Sequence, residues 1–330
     1  MTGDTTRFAG IITSGVGGLY TVRTPDGREF RCRAKGAFRH SGLSPLVGDR
    51  AEISVPAEFA AGGEVVSEPK EENPDAADTG CRLEAILPRK NALLRPAMAN
   101  LDVLFFVIAA KDPDPSLRFI DKLLVILEYQ KIEPVIVITK CDLDREKAEK
   151  LRIKYEKCGF TVFLTDSETC AGDARIAAYV GEWKGDVVAA FSGVSGAGKS
   201  TLMNRLFPSL TLETGEISEK IARGKHTTRA VALFPLSEIS GGVIPGGYLA
   251  DTPGFSMLDF ERFDFFSLEE LPYTFREFAP YLGTCRYTKC THTKEDGCAV
   301  IAAVAEKVIP KSRHTSYVEL FEILKNKNIR

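Results

Sequence analysis

A multi-domain chain is predicted: a small antiparallel β-barrel first, a parallel α/β sheet of phosphate-loop type in the centre, and a helical segment last. Three observations carry this. Short alternating runs split by turns fill residues 9–56, buried-strand and amphipathic-helix patterns alternate from about Cys81, and the pieces after Leu258 are aromatic-rich and contain a tight Cys/His cluster. At 330 residues the chain is long enough for two or three domains. The texture places boundaries at residues 1–82, 83–258 and 259–330.

In the first part, Gly10-Ile11-Ile12, Gly17 to Val22, the Pro25-Asp26-Gly27 turn, Glu29 to Arg33 and Asp49 to Val55 read as short strands and turns of a barrel. Glu58 to Gly80 is rich in Ala, Gly, Glu, Asp and Pro, and reads as an acidic irregular insertion. Then Leu104 to Ala109 predicts a strand, Leu117 to Tyr129 a helix, Pro134 to Thr139 a strand, Arg145 to Cys158 a helix and Thr161 to Leu164 a strand. Val187 to Ser192 leads into a glycine loop and a helix near Lys199; Val231 to Leu236 and Gly247 to Ala250 complete the strands. Such alternation implies a parallel sheet covered on both faces.

Composition narrows the class. Apolar residues make up 44% and charged residues 27%, as in soluble globular proteins. The net charge of -2 is uninformative, but its distribution is not: residues 1–50 carry eight Lys/Arg against four acids, with Arg28, Arg31, Arg33, Lys35 and Arg39 clustered, and the last 25 residues carry six bases against three acids. Basic ends leave an RNA partner open beside an ordinary solvated surface. Met1 to Phe8 lacks the pattern of a secretory leader, and the longest apolar stretch, Val103 to Ala110, is far short of a membrane span. Five of the eight cysteines are scattered without a framework, which suits a reducing cytoplasm.

Gly193-Val194-Ser195-Gly196-Ala197-Gly198-Lys199-Ser200, continuing into Thr201, fits G-x-x-x-x-G-K-S. The glycines let successive N–H groups turn toward phosphate oxygens, Lys199 adds charge at the β- and γ-phosphates, and Ser200 is placed to ligate magnesium. Thr139-Lys140-Cys141-Asp142, at the end of a predicted strand, selects the base. A carboxylate at Asp142 accepts from the ring N–H and amine of guanine, whereas adenine would leave it unpaired. Lys140 is expected along the base. Asp251-Thr252-Pro253-Gly254 matches a D-x-x-G switch, with Asp251 holding magnesium and the Gly254 N–H sensing the γ-phosphate. Between the two lies Arg223 to Thr228, from which Thr227 or Thr228 is the second magnesium ligand. The order is base motif, phosphate loop, switch. Joining old termini and opening new ones gives that order on the same sheet, so the centre is a circularly permuted P-loop GTP-binding domain.

Cys285-x4-Cys290-x-His292-x5-Cys298 offers three thiolates and an imidazole. That closed, carboxylate-free set points to one structural zinc rather than a catalytic one, with reduced thiols the alternative. The residue after the switch is Phe255, which cannot orient water, so His226 is the candidate for that task.

With Arg95-Pro96, Ala99-Asn100-Leu101-Asp102, these motifs and the zinc pattern in hand, the chain resembles the circularly permuted GTPases of the RsgA (YjeQ) family over nearly its whole length. It departs from the commonest pattern at Thr139, at Arg229 and in the acidic insertion. The resemblance implies an N-terminal OB-type barrel, a permuted GTPase domain and a helical zinc-binding domain. It also implies GTP/GDP, the small ribosomal subunit and its rRNA as partners, late subunit assembly as the task, and release coupled to hydrolysis. Lys311, Arg313 and the tail beyond are then expected on an rRNA-facing surface, and His314 on the surface. A cytoplasmic monomer without membrane contact is expected. Two other classes compete: an RNA-binding assembly module whose nucleotide is structural, disfavoured by the intact Lys199, Ser200 and Asp251 set, and a zinc-containing ATPase, disfavoured by Asp142.

Overall fold

Period-two alternation builds the N-terminal strands. These are β1 (Thr5–Val16), β2 (Leu19–Arg23), β3 (Glu29–Ala34), β4 (Arg50–Pro56), followed by the one-turn helix α1 (Ala57–Ala60), and β5 (Arg82–Ile86). In the computed structural model, residues 5–36, 38, 43–60, 80–94, 97–209, 231–251 and 267–327 are described. Every second residue of β4 is buried, and Ile12, Val22, Phe30, Cys32, Ile53 and Leu83 share one core. β1 serves two partners: Thr5 to Ile11 pair with β4, and Ile11 to Val16 pair with β2. A register shift between Ile12 and Ser14 bends the strand between them. The order β1-β2-β3-β5-β4 with β1 also paired to β4 closes a five-stranded barrel, as the OB-type expectation required. Closure needs close backbones: a Cβ at Gly10 would lie 2.5 Å from the Arg23 carbonyl oxygen. The sequence reading did not foresee β5, which completes the barrel from beyond the acidic insertion, by pairing parallel to β3 and antiparallel to β4. Most of that insertion, and Arg95-Pro96, lie outside the described residues.

The chain forms two compact units, one of residues 1–101, 184–190 and 215–253, the other of 102–183, 191–214 and 254–330. In the first, a hairpin of β6 (Ala92–Leu94) and β7 (Ala97–Ala99) is tied to the barrel. Arg89 grips the fully buried Asp49 through two bonds of 2.7 and 2.8 Å, and Asn100 Nδ2 donates to the Gly48 carbonyl at 2.9 Å. Asn91 exchanges two bonds with Leu101. This unit also holds the first residues of β11 (Val188–Gly193), with β12 (Ala232–Pro235) and β13 (Tyr248–Asp251). β13 runs parallel to β11, but β12 runs antiparallel to β13 and meets β1 at Ser14↔Ala232. The expected all-parallel sheet is thus mixed here. The connection from β12 to β13 carries only the one-turn helix α6 (Leu236–Ile239), too little for a crossover.

The second unit holds the parallel strands β8 (Val103–Ala109), β9 (Glu133–Thr139) and β10 (Thr161–Leu164), in the order β10-β9-β8-β11. All seven residues of β8 are buried, as a strand covered on both faces requires. The helices are α2 (Leu117–Tyr129), α3 (Arg145–Lys157), α4 (Ala171–Gly181) and α5 (Lys199–Leu206). Ser116 caps α2 and Asp144 caps α3, each accepting an N–H three residues on. Short 3-10 helices at Leu271–Thr274 and Arg276–Tyr281 follow, then α7 (Ala299–Ala305) and α8 (Lys311–Lys327). Their core, around Phe275, Phe278, Tyr317 and Leu320, is shared with Val125 and Ile126 of α2.

One surface expectation fails. Arg313 is fully buried, with Nε 2.6 Å from Glu277, Nη1 2.8 Å from Asp121, and its guanidinium 4.6 Å over the Phe275 ring. Asp121 also accepts from the Tyr155 and Ser316 hydroxyls. Two carboxylates compensate the buried guanidinium and occupy its donors, so Arg313 presents no charge to an RNA-facing surface. Lys311 remains exposed; His314 is half-buried and its Nε2 lies 2.8 Å from the His292 carbonyl oxygen.

Candidate nucleotide and metal sites

β11 ends at Gly193 and α5 begins at Lys199, so the glycine loop sits where the motif demands, between a strand and a helix. Gly196 and Gly198 adopt φ of +77° and +81°, a region closed to most side chains. Ala197 N–H bonds the Val194 carbonyl, and Leu202 N–H bonds Gly198 to start the helix. Ser195, Gly196 and Thr201 are exposed; Val194, Lys199 and Ser200 are half-buried.

The base motif reaches this loop directly. Thr139, last residue of β9, donates its hydroxyl to the Ala197 carbonyl at 2.5 Å and lies 3.1 Å from that of Ile108. Thr139, one of the departures from the commonest pattern, is thus the residue that ties the two motifs together. The chain then reverses at Lys140 (φ +53°), whose ammonium bonds the Asp112 carbonyl oxygen. Cys141 turns inward, its thiol pushed up to about 11 by burial, and Asp142 faces solvent. The structure therefore joins the two motifs within one unit and leaves the Asp142 carboxylate exposed.

A further loop belongs to this neighbourhood and was missed from the sequence. Thr165 N–H bonds Ile138, and the Thr165 carbonyl accepts from Cys141 N–H at 3.4 Å, so Thr165 lies beside the base turn and residues 166–170 continue from it. Asp166 folds the loop by accepting the Glu168 and Thr169 N–H groups at 3.1 and 2.6 Å. The signal was present as a Thr-Asp-Ser turn after a predicted strand. Asp251 is the last residue of β13. Its side chain, Gly254, His226, Thr227 and Thr228 lie outside the described residues.

Cys285, Cys290, His292 and Cys298 offer ligand atoms all within 4.8 Å of one another. Cys285 and Cys298 sulfurs are 3.8 Å apart, and His292 Nδ1 lies 3.5 and 3.4 Å from them. A tetrahedron with metal–sulfur bonds of about 2.3 Å and metal–nitrogen bonds of about 2.0 Å has edges of about 3.5–3.8 Å, so the residues present fit a metal ion. Burial lowers the His292 pKa, keeping the ring neutral and able to ligate. The loop is shaped by Glu295, which accepts the Thr291 and Thr293 N–H groups at 2.8 and 3.0 Å. Partial burial opposes its ionisation, but the Thr291 hydroxyl and the surrounding N–H groups hold its carboxyl down at about 2. No helix among the described residues is long and apolar enough to cross a membrane.

The sequence profile of the RsgA GTPase family matches residues 86–261, and that of the RsgA N-terminal domain matches residues 9–61. Small ribosomal subunit biogenesis GTPases of Caldanaerobacter subterraneus subsp. tengcongensis and Ruminiclostridium cellulolyticum are 39% and 37% identical, covering 98% and 96% of this chain and 98% and 94% of their own. The crystal structure of YjeQ from Thermotoga maritima superposes with a TM-score of 0.75 at 31% identity, over 97% of this chain and 99% of that one. YloQ, described as a circularly permuted GTPase, gives 0.72 at 29% identity, over 98% and 96%.

Proposed function

The chain belongs to the RsgA GTPase family, and on that premise we infer that it hydrolyses GTP in the late assembly of the small ribosomal subunit and couples hydrolysis to its own release. The observation that carries this reading is the bond from Thr139 to Ala197, which sets a guanine-selecting turn against a phosphate loop in the permuted order. Asp142 pairs with the guanine edge. The loop N–H groups from Ser195 to Thr201 and Lys199 hold the phosphates. Magnesium, when bound with GTP, neutralises charge on the β- and γ-oxygens; Ser200, Asp251 and Thr227 or Thr228 are assigned to it from their motifs. His226 is assigned to orient the attacking water, and the Gly254 N–H to sense the γ-phosphate. One zinc is assigned to Cys285, Cys290, His292 and Cys298, where it would fix the C-terminal segment rather than react. The barrel, the permuted domain and the zinc segment act as three parts on rRNA in the cytoplasm, with the chain working as a monomer.

Phe255 follows the switch and cannot orient water, and on that ground turnover is expected to be slow until the subunit is present. The test measures GTP hydrolysis with and without purified small subunits. Lys199→Ala should lose about 100-fold or more of kcat/KM, a few kcal/mol of phosphate stabilisation. Asp142→Asn should lower the preference for guanine. Variants that turn over GTP like the parent, or a parent unaffected by subunits, remove the assignment.

A further inference from the structure

Thr139 is not the sole tie between the base turn and the phosphate loop. Thr165, whose backbone pairs with Ile138 and Cys141 beside the base turn, donates its hydroxyl to Asp173 Oδ1 at 2.5 Å. Asp173 stands in the first turn of α4, and Arg205 in the last turn of α5, the helix that grows out of the phosphate loop. Arg205 grips Asp173 with both arms of its fork, Nε to Oδ2 at 2.5 Å and Nη2 to Oδ1 at 3.1 Å, and Nη2 also reaches the Thr165 hydroxyl at 3.4 Å. The pair is sheltered: the side chains keep 25% and 13% of their surface. A bidentate, partly buried pair of this kind is directional, unlike a solvated ion pair. The Cys141–Thr165–Asp173–Arg205 relay thus joins the base turn to the far end of the phosphate-loop helix, whereas Thr139 joins it to the loop itself.

We propose that Arg205 and Asp173 are positioning residues, which hold the phosphate loop and the base turn at the spacing a guanine nucleotide spans. The proposal rests on the nucleotide site described above. A nucleotide binds both ends at once, and its affinity depends on the two subsites being held at the right separation. Loosening that separation weakens a ligand that bridges them. It does not weaken one that occupies a single end. Asp173 lies in α4 and Arg205 in the last turn of α5, outside the glycine loop and the base turn, so neither is assigned a catalytic role.

Calorimetric titration of the full, metal-loaded chain with Mg-GDP, guanosine and tripolyphosphate separates these cases. Arg205→Ala and Asp173→Asn should each raise the GDP Kd about tenfold, and the double variant no further, because both remove one contact. Arg205→Lys should recover part of the loss. Guanosine and tripolyphosphate should stay within about twofold of the parent. Equal weakening of all three ligands would reveal a merely structural role and overturn the proposal, as would unchanged GDP affinity in both variants. A parent chain that fails to bind GDP overturns the nucleotide reading itself, and with it this one.

Discussion

Arg313 stays out of the expected basic surface because two carboxylates, a hydroxyl network and an aromatic face are arranged around it. Glu277 and Asp121 take its Nε and Nη1, and Phe275 lies under its plane. Removing the cation would strand both acids where neither reaches water: Asp121 is 1% exposed and Glu277 8%. Arg313→Met should therefore cost about 3–5 kcal/mol, the usual penalty for orphaning a buried charge. Arg313→Lys should recover little, since a single ammonium cannot serve both carboxylates in a fixed fork. Urea unfolding of the metal-loaded chain measures both. A loss under about 1 kcal/mol for Arg313→Met would mean that the network contributes no more than surface pairs do.

Among the elements, the metal loop makes its own prediction. The ligand atoms of Cys285, His292 and Cys298 stand at tetrahedral spacing with that of Cys290 within 4.8 Å, Glu295 shapes the turn, and the core merges with α2 through Phe275, Phe278 and Tyr317. Elemental analysis should find about one zinc per chain. Cys290→Ser should lose most of it and loosen the segment after residue 267, while hydrolysis without subunits is largely kept. A metal-free chain as protected from proteolysis as the parent would remove the zinc assignment. This site was legible because its four ligands lie within fourteen residues. The strands and helices of the second unit were legible for a similar reason: β8, α2, β9 and α3 announce themselves by uninterrupted burial or by 3.6-residue periodicity and caps. What escaped notice lacks local signals. α4 starts from Cys170 in a left-handed conformation with no side-chain cap, and its small residues blur the period. β5 is recognisable only through partners far back in the chain. Arg313 in a charged run looks like any solvated residue until Asp121, 192 positions earlier, is placed beside it.

For the whole molecule the question is how the state of the phosphate loop reaches the C-terminal segment. Gly254, expected to sense the γ-phosphate, lies outside the described residues, and the second unit offers a route of its own. A Cβ on Gly196 would meet Pro113 Cδ at 3.7 Å, and the loop holding Pro113 carries Asp112, which Lys140 bonds, and Ser116, which caps α2. At its other end α2 holds Glu128, which with Glu133 clasps Arg276 at 2.5 and 2.6 Å, while Asp121 holds Arg313. A rigid helix thus has the nucleotide loops at its N-terminus and the zinc segment along its flank. Packed elements of this kind shift between discrete arrangements rather than bending by degrees. The hypothesis is that GTP favours a subunit-binding arrangement and GDP a releasing one. By linkage, a tenfold gain in subunit affinity from GTP obliges the subunit to raise GTP affinity tenfold, about 1.4 kcal/mol in each direction. Co-sedimentation with small subunits should retain the chain more strongly with a non-hydrolysable GTP analogue than with GDP. His226→Ala should bind GTP normally, hydrolyse it slowly and stay on the subunit longer than the parent. Arg276→Ala should narrow the difference between the two nucleotides without changing GDP affinity, because it cuts the clasp and leaves the nucleotide loops alone. Equal retention of the parent in both nucleotides would leave the hydrolase reading standing and remove the coupling of hydrolysis to release.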